Sequence, residues 1–156
     1  MLNFFDEEHE RFYKRVCDEM SKLKKLDCYD KALIYILSVC ETTREHFAEI
    51  FDIEEGININ SLKSSWQTGT SLKVTRMAFN LYNDCMYDSE EDIDKGQISE
   101  YYNPSDIFAC SYANYFFEAI KIRYPEYTRV LHITENDKDT KYLGFNEDKY
   151  FEEEER

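Results

Sequence analysis

Residues 66–76 are where the sequence comes nearest to chemistry. The run Gln67-Thr68-Gly69-Thr70-Ser71 follows the only tryptophan, Trp66, and leads into an apolar-patterned stretch carrying Lys73 and Arg76. Small hydroxyl residues, a glycine and two cations at a helix start are the parts of an anion site. Free amides of the first turn point at the anion, and the helix dipole favours its charge. With Thr70 as the N-cap, Ser71, Leu72 and Lys73 fill that turn, and no Asp or Glu is present there. Lys73 would then oppose the dipole by roughly 0.3–1 kcal/mol. An anion or nucleotide held by Thr68, Thr70, Ser71, Lys73 and Arg76 would remove the conflict, as a sensor or an enzyme requires. The same residues also read more simply. Thr70 or Ser71 caps a core helix, Trp66 folds into the core, and Lys73 faces water. Neither G-x-x-x-x-G-K nor G-x-G-x-x-G occurs among the four glycines, so the known phosphate-loop patterns are excluded.

The loop DSEEDIDKGQIS (88–99) is rich in oxygen ligands, but a twelve-residue calcium loop needs Gly at position 6 and Glu at position 12. Those places hold Ile93 and Ser99. A solvated acidic loop fits better. His9, His46 and His132 fall on three different elements, and no H-E-x-x-H pair exists, so a metal centre is not expected. Cys17, Cys28, Cys40, Cys85 and Cys110 are odd in number and far apart, without C-x-x-C. They read as free thiols, mostly buried, rather than a disulfide framework. A Cys–His nucleophile needs only closeness in space, and nothing local supports one. No cofactor is expected.

The elements that position these residues are mainly helices. The 156 residues, 42% hydrophobic and 16% aromatic, suit one domain with a real core. Helical spacing of Phe5, His9, Phe12, Tyr13, Val16, Met20 and Leu23 predicts a helix over 6–26 with Asp6 as its cap. Asp27 caps a second helix ending near Cys40, whose stretch ALIYILSVC (32–40) is apolar all round and therefore central. Thr42 and Glu45 have the spacing of a capping box, which restarts or kinks the chain there. Residues 53–70 are irregular, with Gly56 as a breaker. A helix then spans 71–85. Residues 86–97 form an exposed acidic break. Asn103-Pro104-Ser105-Asp106 starts a helix that ends at Tyr124, before Pro125. RVLHIT (129–134) and KYLGF (141–145) predict a small hairpin, and EEEER frays. The expected architecture is a mainly α, single-domain bundle of four to five helices over 1–127, with an acidic extension over 128–156.

Charge bounds the partners. Asp plus Glu number 33 against 19 Lys plus Arg, a net charge of −14. Such a chain is repelled by phosphate backbones and anionic membranes, so direct nucleic-acid and membrane binding are not expected. Segments 86–103 and 126–156 each carry −5, whereas 71–85 carries +1. The start MLNFFDEEHE lacks a signal peptide's basic and apolar regions, and no apolar run reaches the ~20 residues of a membrane span. A cytoplasmic protein is expected. The thirteen tyrosines also suit a contact surface.

Four segments, in order, carry a resemblance: FFDEEHERFY (4–13), KALIYILSVCETTREHF (31–47), WQTGTSLKVTRMAFNLYN (66–83) and IFACSYANYFFEAIKIRYPEY (107–127). The chain resembles a family of small uncharacterised proteins, a domain of unknown function, from Firmicutes and their plasmids, phages and integrative elements. The resemblance covers residues 4–127. It carries no established activity and no catalytic residues. Its context implies a protein-binding inhibitor of a nucleic-acid-binding host defence complex, of the anti-CRISPR or nucleic-acid-mimic type. The first expectation is accordingly a non-enzymatic acidic module in which Asp88, Glu90, Glu91, Asp92 and Asp94 engage a protein partner with a basic surface. The anion-binding sensor or enzyme is the alternative. An accessory subunit or homodimer built on the Tyr-rich helix 104–124 is the third reading.

Overall fold

A computed structural model of the chain describes residues 1–128. The hairpin expected over 129–134 and 141–145, and the extension that contains it, lie outside the described residues. The fold is mainly α, with one two-stranded antiparallel sheet among the described residues. No helix among the described residues is long and apolar enough to cross a membrane.

Helix α1 (Glu7–Ser21) starts where Asp6 accepts a bond from the His9 amide at 2.7 Å, and its first-turn acids suit the dipole. It stops at Ser21 rather than Leu26. Leu23 is exposed there, and Leu26 reaches the core from the connection instead. Helix α2 (Cys28–Val39) carries a reciprocal capping box between Asp27 and Asp30. Every residue from Ala32 to Val39 is at most 1% exposed. Helices α1, α5 (Gly69–Asn83) and α8 (Ala113–Arg123) wrap it.

The capping box expected at Thr42 and Glu45 does not form. Cys40 is extended and precedes a new short helix, α3 (Glu41–Glu45). Buried Thr43 acts instead, donating its hydroxyl to the Leu37 carbonyl at 2.6 Å and lying 3.0 Å from that of Cys40. Carbonyls at the end of α2 have no helical partner, so their need decides the role of this threonine. After α4 (Phe47–Ile50) comes a hairpin, β1 (Phe51–Asp52) with β2 (Gly56–Ile57), with Asp52 opposite Gly56; only its turn and β2 fall in the stretch 53–70 expected to be irregular. Its turn needs a left-handed residue, and Gly56 supplies it at φ 88°. A 3-10 turn (Ile59–Lys63) then anchors Ile59 and Leu62 in the core.

The acidic break contains a helix, α6 (Glu90–Lys95), capped by Ser89 and closed by left-handed Gly96. The helix expected over 104–124 is two: α7 (Pro104–Ile107) and α8, with a 3-10 turn (Glu100–Tyr102) before them. The break between them lets Phe108 pack on Phe116, ring centroids 5.7 Å apart. In one continuous helix those residues would be separated by about 12 Å along the axis. Eight α-helices among the described residues therefore stand where four to five were expected, and the additional ones are short.

His9 shows how the core handles polarity. Its ring is fully buried, edge-on to Phe4 at 5.0 Å and against Tyr35 at 4.6 Å. Nδ1 accepts from the Phe5 amide at 3.1 Å, so the proton sits on Nε2 and is donated to the Tyr35 carbonyl at 2.9 Å. Both nitrogens are satisfied only in the neutral ring. Loss of hydration lowers its pKa from 6.5 to about 4, outweighing the bond to Tyr35 and the charge of Asp6. The unfolded chain takes up this proton near pH 6.5 and the folded chain only near pH 4. The contribution is therefore complete above pH 6.5 and is lost as pH falls towards 4, by about 3 kcal/mol. His9→Gln does not titrate and can still offer an N–H to the Tyr35 carbonyl. The stability gap between wild type and His9→Gln, from denaturant midpoints, should change by about 3 kcal/mol in favour of the variant across that interval. A pH-independent gap would contradict the assignment.

Candidate functional site

The polar run before α5 is a closed network. Thr68, not Thr70 or Ser71, is the N-cap. Its hydroxyl accepts from the Ser71 amide at 3.0 Å, and the Ser71 hydroxyl accepts from the Thr68 amide at 2.7 Å. Ser71, fully buried, donates its hydroxyl to Gln67 Oε1 at 2.6 Å. Gln67 Nε2 reaches the Ser61 carbonyl and the Thr75 hydroxyl, both at 3.2 Å. The pair Thr68/Ser71 has capping-box spacing, but Thr70 and Ser71 are equally good caps by type. Only the packing of Ser71 selects the register.

Thr68, Thr70 and Ser71 are thus together at the start of α5, while the two cations turn elsewhere. Lys73 Nζ donates to the Asp106 carbonyl at 2.6 Å, fastening α7 to α5. Arg76 Nε donates to Asp88 Oδ1 at 2.9 Å, and its guanidinium lies over the Tyr101 ring at 4.9 Å. Asp88 also accepts from the Ser99 hydroxyl at 2.5 Å, and the Ser99 amide bonds the Met86 carbonyl at 2.8 Å. Together these contacts close residues 86–99 into a loop pinned to α5. Beneath it the Tyr102 hydroxyl donates to the Tyr87 carbonyl at 2.9 Å, and burial pushes its phenol far above the usual range.

The five acids of this segment therefore differ in role. Asp88 bridges Arg76 and Ser99, and Asp92 receives the Ser89 hydroxyl at 2.7 Å within the cap of α6. Glu90, Glu91 and Asp94 are exposed. Glu91 pairs with Lys95 one helical turn on, an arrangement of little energetic weight at the surface. Exposed Met86, Ile93, Ile98 and Tyr101 are interspersed with them.

A second acidic feature lies beside α6. A groove of about 740 Å³ runs between α4, the hairpin and the Ile59–Lys63 turn, lined by Glu49, Asp52, Glu54, Glu55, Ser61 and Glu90 among others. A neighbouring cavity of about 390 Å³ shares Ile57 and Glu90 with it and adds Ile59, Tyr87 and Ile93. Glu49 is gripped by two donors. Trp66 Nε1 donates to its Oε2 at 2.9 Å, and His46 Nδ1 lies 2.8 Å from its Oε1. The His46 and Trp66 rings are stacked with centroids 4.2 Å apart. Hydrogen bonding by His46 and then Trp66 holds the Glu49 carboxyl below its usual value. Trp66 is thus half-buried and tied to a carboxylate rather than sunk in the core. The Glu-Glu-Gly turn at 54–56 was readable as a loop signal, but its meeting with Glu90 arises only from the fold.

Among the described residues no cluster of three His, Cys, Asp or Glu side chains could hold a metal ion. The five cysteines are free. No Cys–His hydrogen bond is present among the described residues, since His9 bonds backbone and His46 bonds Glu49.

The Arg76–Asp88 pair generates a prediction. Arg76→Met leaves a half-buried carboxylate and removes the pin on the loop. Stability should fall by about 1–3 kcal/mol, and amide exchange over residues 86–99 should rise more than in α2. Uniform change across the chain would contradict the pinning role.

No curated protein and no solved structure matches this chain. The model of the family of unknown function DUF6075 matches residues 1–136, which takes in all four segments of the resemblance and α1 through α8. On that match, the chain belongs to DUF6075, a family of unknown function.

Proposed function

We propose that this chain is a non-enzymatic interaction module that engages a basic surface of a protein partner through α6 and the groove beside it. The observation that carries the reading is the position of Glu90. It lines both the acidic groove and the cavity that contains Ile57, Ile59 and Ile93. Carboxylates and apolar side chains, of which Ile93 is exposed and Ile57 half-buried, thereby share one surface. Apolar contact area supplies affinity there, while charge supplies steering and selects the partner's sign. A net charge of −14 extends that steering to long range at low salt. The finer form of this proposal is the role implied by the resemblance: inhibition of a nucleic-acid-binding host defence complex, whose cleft is basic because it normally holds phosphates.

The binding carboxylates are Glu90, Glu91 and Asp94, which are exposed and whose contacts with Asn60 and Lys95 lie at the surface, whereas Asp88 and Asp92 are half-buried and hold the loop and the cap of α6. The test is affinity capture from the native host with wild-type protein and with the E90Q/E91Q/D94N variant, read by mass spectrometry. A partner with a basic surface should be retained by wild type, released by about 0.5 M salt as screening shortens the Debye length, and lost with the variant. Equal retention by both proteins, or release insensitive to salt, overturns the proposal.

A further inference from the structure

We infer that the guanidinium of Arg123, where α2, α5 and α8 meet, is a receptor for one carboxylate, held by its two terminal nitrogens. The inference goes beyond the α6 surface and uses none of its residues.

Arg123 is only 9% exposed, yet among the described residues it takes part in no ion pair. Its Nε donates to the Leu81 carbonyl at 2.9 Å. Its guanidinium lies over the Tyr29 ring, with Cζ 3.5 Å from the centroid, and over the Tyr124 ring at 4.5 Å. These contacts fix the position and plane of the group without neutralising it. Buried charges are ordinarily paired, because a charge taken from water without a counter-ion is costly. Two acids that could have served are engaged elsewhere. Glu118, on the same helix, accepts from the Asn3 amide and faces Lys121, both at 3.4 Å. Asp30, next to Tyr29, faces Lys24 at 3.0 Å and accepts from the Asp27 amide at 3.1 Å.

The unused edge of the guanidinium decides what it can hold. Of its five N–H donors only the one on Nε is bonded among the described residues. Neither Nη1 nor Nη2 is among the polar atoms that are both unbonded and sealed from water there. That edge therefore keeps contact with solvent. It presents two parallel N–H bonds, the fork that the two oxygens of a carboxylate match. The arginine is already immobilised and mostly out of water. A pair formed here therefore loses less side-chain freedom, and is screened less, than one between two exposed side chains.

Charge narrows the ligand to a single carboxylate. At −14 the chain opposes every further negative charge, so a phosphate dianion is penalised more than a monoanion. The carboxylate has two sources. One is this chain's own sequence beyond α8, since residues 126–156 hold ten Asp and Glu. Their attachment to the same chain gives them a high effective concentration. The other is an acidic side chain of a second molecule.

The test uses the isotope-labelled full chain at about pH 7 and about 50 mM salt, with the Arg123 Nε–H resonance as the readout. The probe is the α-amide of N-acetylglutamic acid, which carries one carboxylate. N-acetylglutamine amide is the neutral control and inorganic phosphate the more highly charged one. The carboxylate probe should move the resonance saturably, the neutral amide should not, and phosphate should bind more weakly. R123K keeps the charge and loses the fork, so it should weaken the probe about fivefold, read at the Tyr29 amide. The wild-type titration stands by itself if R123K does not fold. A variant with every Asp and Glu of 126–156 replaced by its amide separates the sources. Binding at least about threefold tighter than wild type identifies the chain's own acids as the competing occupant, and unchanged binding assigns the site to a second molecule. Either result sustains the receptor. It is overturned by the lack of a saturable shift at Arg123 in both wild type and the amide variant. An equal shift with the neutral amide, tighter binding of phosphate, or a folded R123K that binds the probe as well as wild type overturns it too.

Discussion

A helix with no solvent face organises this protein. From Ala32 to Val39, α2 is buried on every side, so the chain must wrap it with α1, α5 and α8 and must supply partners for polar groups that water cannot reach. Those partners come from distant places. His9 takes the Tyr35 carbonyl, Arg44 the Ser38 carbonyl at 2.8 Å, and Thr43 the Leu37 carbonyl. The Ser38 hydroxyl folds back on Ile34 at 2.5 Å. Each bond is modest alone, but leaving any of these groups unpaired in the core would cost more than the bond contributes.

The cations follow the same logic. Lys73 and Arg44 serve backbone carbonyls, and Arg76 serves Asp88. Arg123, 9% exposed, donates to the Leu81 carbonyl at 2.9 Å in the last turn of α5, with its guanidinium 3.5 Å from the centre of the Tyr29 ring. A cation at that end of a helix is favoured by the dipole, and the aromatic face replaces part of its hydration. Lys24 reaches Asp30, which is 1% exposed, at 3.0 Å. Several positive charges are thus engaged in holding elements together, while Glu54, Glu55 and Asp94 are exposed and form no ion pair among the described residues. That division connects the core to the proposed function, because acids not needed internally are the ones free to meet a partner.

The region from Ala48 to Ser64 was the least legible stretch. Its elements are short, and the apolar pattern of Ile57, Ile59 and Leu62 shows only that something anchors there. A two-residue strand pair has too few positions for a period-two signal, so the hairpin is set by Gly56 and by the packing of Phe51 against Tyr82, centroids 5.2 Å apart. The acidic segment was legible as charge but not as structure. Composition could not distinguish Asp88 and Asp92, which are half-buried and bonded within the loop, from Glu90 and Asp94, which are exposed.

By itself the sequence determined the mainly helical class, the centrality of ALIYILSVC, the caps at Asp6 and Asp27, and the acidity of residues 86–103. These are properties of local pattern, because helical periodicity, capping chemistry and charge count need no long-range contact. Tertiary structure decided the remainder. It moved the cap of α5 to Thr68 because Ser71 is buried, and split the last helix so that Phe108 could meet Phe116. It turned Lys73 and Arg76 from an apparent anion site to Asp106 and Asp88. It also brought Glu54, Glu55, Ser61 and Glu90 to one groove. Such choices depend on which buried group lacks a partner and which element passes within reach of it, and a one-dimensional pattern records neither.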